Sequence, residues 1–437
     1  MKTPPQNLIV GAGMTGLAAG LSTGWPIYEA TDAPGGICAS YYLRPGSAER
    51  LWNPPGDQEA YRFELGGGHW IFGANSAMLA FMQRYSSLKQ YQRDSAVYFP
   101  EESLYVPYPL QNHLRYLPAD IVQQILMEIT TPASNAVCTM RDWLTHHFGP
   151  TLCERFFYPF HESYTAGLYP RIAPQDAYKS PVDRTLVMQG ASNDAPPVGY
   201  NTAFCYPASD LCDLARRLAA EGNIHYNKRV ERIDVTDNTV YFADGSAMPY
   251  EIIISTVPLN QMLAMTELES TTPPDPYTSV LVLNIGAVRG KACPQSHWLY
   301  IPQSRAGFHR VGFYGNVDQA FLPRSARGLA TRVSLYIERA YPGGQRPASR
   351  ALSDYTDAVI NELQEWNFIE EVDVVDQTWI EVAYTWKYPD SVWQQESMQT
   401  LRAHGIYQAG RYGRWKFQGI AESLQEGLSL GRELNNA

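Results

Sequence analysis

Leu8-Ile9-Val10-Gly11-Ala12-Gly13-Met14-Thr15-Gly16-Leu17-Ala18-Ala19-Gly20, followed by Trp25-Pro26-Ile27-Tyr28-Glu29, is the stretch from which the fold is read. An apolar run of strand type enters a Gly-x-Gly-x-x-Gly turn, an apolar helix leaves it, and a second strand ends in an acid. This is the βαβ start of a dinucleotide-binding domain. Gly11 allows the tight turn, Gly13 lets a pyrophosphate approach the backbone, and Gly16 lets helix and strand pack closely. The amides of the helix start, at Met14 and Thr15, face the phosphates. Glu29 accepts the ribose hydroxyls, and its carboxylate repels a 2′-phosphate. FAD or NAD is therefore expected at this turn rather than NADP.

The chain has 437 residues, enough for two or three domains, and is 45% hydrophobic and 18% charged, the balance of a globular protein. A net charge of −10 argues against binding nucleic acid or an anionic membrane surface. No charged-then-apolar leader opens the chain, and no apolar run approaches the ~18–20 residues of a spanning helix. A cytoplasmic location without a membrane span is expected. Cys38, Cys138, Cys153, Cys205, Cys212 and Cys293 are dispersed without a metal-ligand pair, so free thiols and no metal site are expected.

Beyond Glu29, Pro34-Gly35-Gly36 gives a second glycine turn that can lie against a ligand, and residues 42–60 read as an irregular excursion. Gly66-Gly67-Gly68-His69 sets bare backbone beside an imidazole, which suits the reactive edge of a flavin. Helical periodicity is predicted over 76–93 and 118–158, with the proline-broken segment Leu104–Asn112 between them. A helix at 208–222 leads into strands through Val240–Phe242 and Glu251–Val257 that return to the nucleotide-binding sheet. Strands at 279–285, 297–301, 308–314 and 330–337 form a separate antiparallel sheet. Helices follow at 352–366 and 420–434, with a strand entering Gly410-Arg411 between them. The expected fold class is α/β: a Rossmann-type FAD-binding domain from 1–75, 206–262 and 400–437, a mostly helical insert at 112–180, and an antiparallel β-sheet substrate domain from 76–111, 181–205 and 263–399.

With these pieces in order, the chain resembles the flavin-dependent UDP-galactopyranose mutases, within the wider amine-oxidase and protoporphyrinogen-oxidase-like FAD superfamily. The likeness is carried by Gly67-Gly68-His69, Val106-Pro107-Tyr108-Pro109-Leu110-Gln111-Asn112, Tyr164-Thr165 with Tyr169, Trp298-Leu299-Tyr300, Phe308-His309-Arg310, Tyr388-Pro389 and Gly410-Arg411-Tyr412-Gly413. The resemblance implies a nucleotide-sugar mutase that interconverts pyranose and furanose rings, with N5 of reduced FAD attacking the anomeric carbon. NAD(P)H is the candidate reductant. It also implies roles. Arg184 and Arg310 hold the pyrophosphate as bidentate guanidinium forks, and Tyr300 and Tyr388 reach it with hydroxyls. Gln111 with Tyr108, and Tyr164 with Tyr169, grip the uracil. Gly68 and His69 lie against the flavin, Arg411 near its ring or pyrophosphate, Val230 against the adenine, and Gly36 joins the cofactor-binding set through its glycine turn. Gly419 and Ala421 open a helix whose dipole points at the flavin N1/O2 edge.

The pattern departs from that family at several points. Phe417 stands where a pyrophosphate-binding tyrosine is usual, Gly419 and Ala421 replace polar or acidic residues, Ala208-Ser209-Asp210 replaces a Gly-Gly turn, and the 42–60 excursion is not compact. FAD binding is untouched by these changes, but the sugar and leaving group are left open. An FAD-dependent oxidase or dehydrogenase of an amine or small cyclic metabolite is the competing expectation, and a flavoprotein that binds without turnover a third.

Overall fold

The computed structural model describes residues 4–130, 137–175, 182–199 and 201–436. Strand β1 (Gln6–Val10), helix α1 (Met14–Thr23) and strand β2 (Ile27–Tyr28) form the βαβ start predicted from the glycine turn. Strand β1 pairs in parallel with β2 on one side and with Ala247–Ser255 on the other. Ile224–His225 extends the sheet beyond β2, and Ile406–Gln408 runs parallel to the far end of Ala247–Ser255. Leu8, Ile9 and Val10 are all buried, because a parallel strand with layers on both faces has no solvent side. The last helix, Ile420–Asn435, lies against α1 through a seam of small residues. A Cβ on Gly427 would sit 2.2 Å from the Thr15 carbonyl oxygen, and one on Gly431 2.0 Å from Ser22 Oγ. The two backbones therefore touch, and both helix N-termini open on the same side of the sheet.

The second sheet has seven strands, ordered Ile369–Thr385, Tyr277–Arg289, Arg332–Pro342, Arg310–Phe313, Trp298–Tyr300, Ser95–Phe99 and Leu104–Pro107. All its neighbours are antiparallel except Trp298–Tyr300 with Ser95–Phe99. Its long central strands alternate between two cores: Leu281, Leu283 and Ile285 face one under helix Ser349–Glu365, while Val280 and Val282 face the core shared with the nucleotide-binding domain. A third core joins helices Ala119–Thr130, Met140–Leu152 and Tyr158–Tyr164, with Val187 of the short helix Arg184–Gln189 added to it.

Three sequence expectations change. Residues 76–93 are not one helix: Ser76–Gln83 is helical, but Leu88–Gln92 is a strand paired with Ala203–Pro207, a partner far along the chain that overrides local periodicity. The strand Ile369–Thr385 and the helix Trp393–Ala403 were not predicted. The excursion at 42–60 has a structural task. Flanked by the paired strands Ser40–Leu43 and Tyr61–Glu64, it lies along the edge strand Ile369–Thr385. The Gly46 amide donates to the Asp373 carbonyl at 2.9 Å, and Arg50 to the Gln377 carbonyl at 2.9 Å and the Asp376 carboxylate. A strap of this kind satisfies an otherwise open sheet edge. The cysteines among the described residues are free thiols, and no helix there is long and apolar enough to cross a membrane.

Candidate active site

A cleft at the carboxyl end of β1 holds a cavity of about 390 Å³. Its floor is the glycine turn. A Cβ on Gly16 would lie 1.9 Å from the Gly11 carbonyl oxygen, so only glycine lets α1 start this close to β1. A Cβ on Gly13 would meet nothing within 4 Å, so this backbone faces open space. Helix α1 carries no side-chain cap, which leaves its first amides for an anion. At the end of β2, Glu29 is 8% exposed and is fixed by the Ala12 amide at 2.7 Å and the Thr31 amide at 2.9 Å. Uncapped amides, bare backbone and an acid one strand over are what the diphosphate and ribose of a dinucleotide need, so the residues present fit FAD.

At the other end of the cleft stand Gly68, His69, Arg411 and Phe417. A Cβ on Gly66 would lie 2.1 Å from His69 Cε1, and one on Gly68 2.2 Å from the Tyr336 hydroxyl, which accounts for the glycine run. Burial, and then Arg411, push the His69 imidazole down to about 4, so it is neutral at physiological pH. Arg411 donates to the Ala383 carbonyl at 3.1 Å, and its guanidinium lies 4.7 Å from the Phe417 ring centre and 5.2 Å from that of Tyr384.

A second cavity of about 120 Å³ adjoins the first, and Gly68, Trp70, Phe72, Arg310, Tyr384 and Phe417 line both. Its walls are largely aromatic. Phe156 and Phe157 both reach it from a π-helical turn, Cys153–Phe157, whose extra residue per turn places adjacent side chains on one wall. Tyr108, Gln111, Tyr164, Tyr300 and His309, with His161, Gln175 and Asn201, add polar groups to the lining.

The junction is governed by an ion pair. Strand register sets Arg310 directly opposite Glu338, and the guanidinium contacts the carboxylate at 2.5 Å and again through Nε at 3.1 Å. Burial alone would raise the Glu338 carboxyl, but Arg310 and the neighbouring His309 outweigh it and hold the group at about 2. Arg310 thus has the carboxylate partner that a charge between apolar strand residues requires.

The predicted residues divide by position. Gly11, Gly13, Met14, Thr15, Glu29, Gly36, Gly68, His69, Val230, Arg411 and Gly419 line the first cavity. Tyr108, Gln111, Tyr164 and Tyr300 line the second, and Arg310 and Phe417 line both. Gly16 and Ala421 lie behind the wall as packing positions, Ala421 being 2% exposed in the core. Three substrate expectations are not met by this arrangement. Tyr169 is in the layer behind the wall, its ring 5.7 Å from Tyr158 and 6.4 Å from His161. Tyr388 falls in the turn after Ile369–Thr385, where its amide donates to Asp275 at 2.9 Å. The wall position belongs to Tyr384, on the strand itself. Arg184 is exposed at the start of its helix and lines neither cavity, while Asp183 caps that helix through the Thr185 amide at 2.9 Å. Ser180 and Pro181, which precede it, lie outside the described residues. The residues missed were Glu338, His309 and Tyr384. A buried glutamate in the run Arg332–Pro342 was the one available signal for the first.

Taken together, the cradle and the sheet order define a mixed α/β fold of the FAD-binding type. The chain belongs to the family of flavin containing amine oxidoreductases, whose model matches residues 25–288. Membership makes it an enzyme family member with FAD as cofactor. Among solved structures it is similar to reduced UDP-galactopyranose mutase, with a TM-score of 0.84 at 21% identity over 99% of this chain and 96% of that one. It is similar also to a CLA-producing fatty acid isomerase from P. acnes, with a TM-score of 0.59 at 15% identity over 100% and 99% of the two chains. Putrescine oxidase with bound putrescine gives 0.58 at 15% identity over the full length of both.

Proposed function

We propose that the protein is a flavin-dependent nucleotide-sugar mutase that interconverts pyranose and furanose forms. The observation that carries this reading is the junction: one arginine, Arg310, on the walls of both the dinucleotide cradle and a stacking cavity edged with tyrosine hydroxyls. The full-length likeness to UDP-galactopyranose mutase supports it.

Reduced FAD, when bound, supplies a nucleophilic nitrogen for the anomeric carbon. The chain does the rest. Gly13, Met14, Thr15 and Glu29 hold the ADP half; Gly68, His69 and Arg411 stand where the ring system would end. The aromatic walls exclude water and offer a stacking surface to a nucleobase. Gln111, Tyr164 and Tyr108 supply polar contacts beside it. Arg310 faces the diphosphate and stabilises its charge as it leaves, while Glu338 keeps the fork in one orientation. His69, being neutral, adds no charge against the flavin. Arg184 is proposed to contribute only if its helix closes toward the cavity, since it is exposed as the chain stands.

One observation favours a second reading, an FAD-dependent amine oxidase or dehydrogenase. Glu338 cancels the charge of Arg310, and the cavity wall is mostly aromatic, which suits a cation or a neutral amine. Incubation of the dithionite-reduced protein with UDP-galactopyranose or UDP-arabinopyranose, followed by anion-exchange chromatography, separates the two. A new nucleotide-sugar peak supports the mutase. No conversion of any nucleotide sugar, together with amine-dependent bleaching of the flavin, would sink it.

A further inference from the structure

We propose that His309, held beside Glu338, carries the proton that moves between two hydroxyl oxygens of the substrate during ring exchange. This rests on the nucleotide-sugar reading above.

The main chain of His309 is fixed on both sides: its amide donates to the Glu338 carbonyl at 3.0 Å, and its carbonyl accepts from the Ile301 amide at 2.9 Å. The imidazole is 2% exposed, with Nε2 3.7 Å from Glu338 Oε2. It meets Tyr164 edge-on at 5.3 Å and Phe160 at 6.1 Å, and all three rings line the second cavity. Among the described residues, the titratable and charged groups that share its surroundings include Glu338 from one neighbouring strand, Tyr300 from the other, Arg310 from its own, Tyr164 and His161 from the helix above, and Tyr384 on the same cavity wall. At this distance the ionised Glu338 carboxylate is the counter-charge that an imidazolium at His309 would face.

His69 provides the contrast. It lies across the same junction, yet burial and Arg411 leave it neutral, with no proton to give. Ring exchange needs one proton delivered and one removed. As the electron pair of the ring C–O bond moves onto the ring oxygen, the imidazolium of His309 protonates that oxygen. The neutral imidazole then takes the proton of a second hydroxyl as that oxygen's pair closes the new ring on the anomeric carbon. One C–O bond breaks, one forms, and the proton returns to His309 without any oxidant or reductant.

Two measurements test this. In the FAD-loaded wild-type protein, nitrogen-15 spectra of the imidazoles, assigned with His309→Gln and His69→Gln, should show His309 passing from imidazolium to neutral between about pH 5 and 8 while His69 stays neutral. In the reduced protein, UDP-galactopyranose labelled with oxygen-18 at the anomeric bridge should still scramble its label in His309→Gln. Furanose formation should fall about a hundredfold or more. A wild-type His309 that stays neutral throughout overturns the proposal, as does a variant whose two rates are unchanged or fall equally. Wild-type protein that neither scrambles nor converts the substrate overturns the nucleotide-sugar reading, and the proposal with it.

Discussion

The two cavities are built on different principles. The cradle recognises its ligand mainly with backbone: glycines, uncapped amides and the acid Glu29, most of them drawn from Gly11–Glu29 and closed by Gly410, Arg411 and Gly419. The aromatic cavity is walled by side chains gathered from the helical insert and the second sheet, and the arginine on its wall, Arg310, is already paired with Glu338 on the cradle side. Where the backbone is closely packed, as at Gly16, an added Cβ has nowhere to go, and at Gly13 the open space is left for the ligand. Side-chain recognition tolerates exchange of one group for another, so under the proposed function specificity is assigned to the second cavity and FAD binding to the cradle.

Substitutions in the two regions should therefore fail in different ways. Gly16→Val in the cradle has the largest expected effect: with 1.9 Å between a Cβ and the Gly11 carbonyl oxygen, α1 must move away from β1. The purified variant should carry no flavin by absorbance. Retention of full flavin occupancy would show that the turn is not the anchor.

Arg310→Ala should leave the cradle loaded but take from the buried Glu338 its main counter-charge, leaving only His309 beside it. Breaking such a pair costs about 3–5 kcal/mol, read as a lower melting temperature, together with loss of turnover. Arg310→Ala with Glu338→Gln should recover most of the stability and none of the activity. Loss of flavin in the folded single variant would mean that Arg310 belongs to the cradle after all.

The same pair sets a pH dependence. Glu338 is held at about 2, below the ordinary glutamate value of 4.5, so its contribution to stability is present above about pH 4.5. That contribution is lost as pH falls toward 2. Denaturant melts should show wild type losing more stability than Glu338→Gln across this interval. Parallel loss in the two would remove the ion pair from the account.

A smaller effect separates two tyrosines. Tyr384→Phe should raise KM about tenfold, the scale of one hydrogen bond to a charged group. Tyr388→Phe, in the turn beyond the wall, should change it less than about twofold. The reverse order of effects would place the earlier of the two outside the site.

The contrast also explains what could be read from residues alone. Every part of Gly11–Glu29 is local: strand, turn, helix and acid lie within one stretch, and each constrains the next. The same held for Gly68-His69 and Gly410-Arg411, where glycine beside a functional side chain marks backbone packed on a ligand or a ring. The pairing of Glu338 with Arg310 was invisible because the two meet only through the register of two antiparallel strands, a fact of pairing and not of spacing. Tyr384 and Tyr388 are four residues apart, and only the end of Ile369–Thr385 decides which one faces inward. Phe156 and Phe157 share a wall through a π turn that no helical periodicity predicts. Residues 88–92 went astray for a related reason, since their partner strand begins at Ala203.

The central claim is that a nucleotide seated in the aromatic cavity is seen by the flavin across Arg310. Titrating FAD-loaded protein with UDP, which cannot react, tests it directly through the visible absorbance of the flavin. The account predicts a saturable spectral shift that disappears in Arg310→Ala. A spectrum indifferent to UDP but shifted or bleached by an alkyl amine would contradict it, and would assign the cavity to an amine.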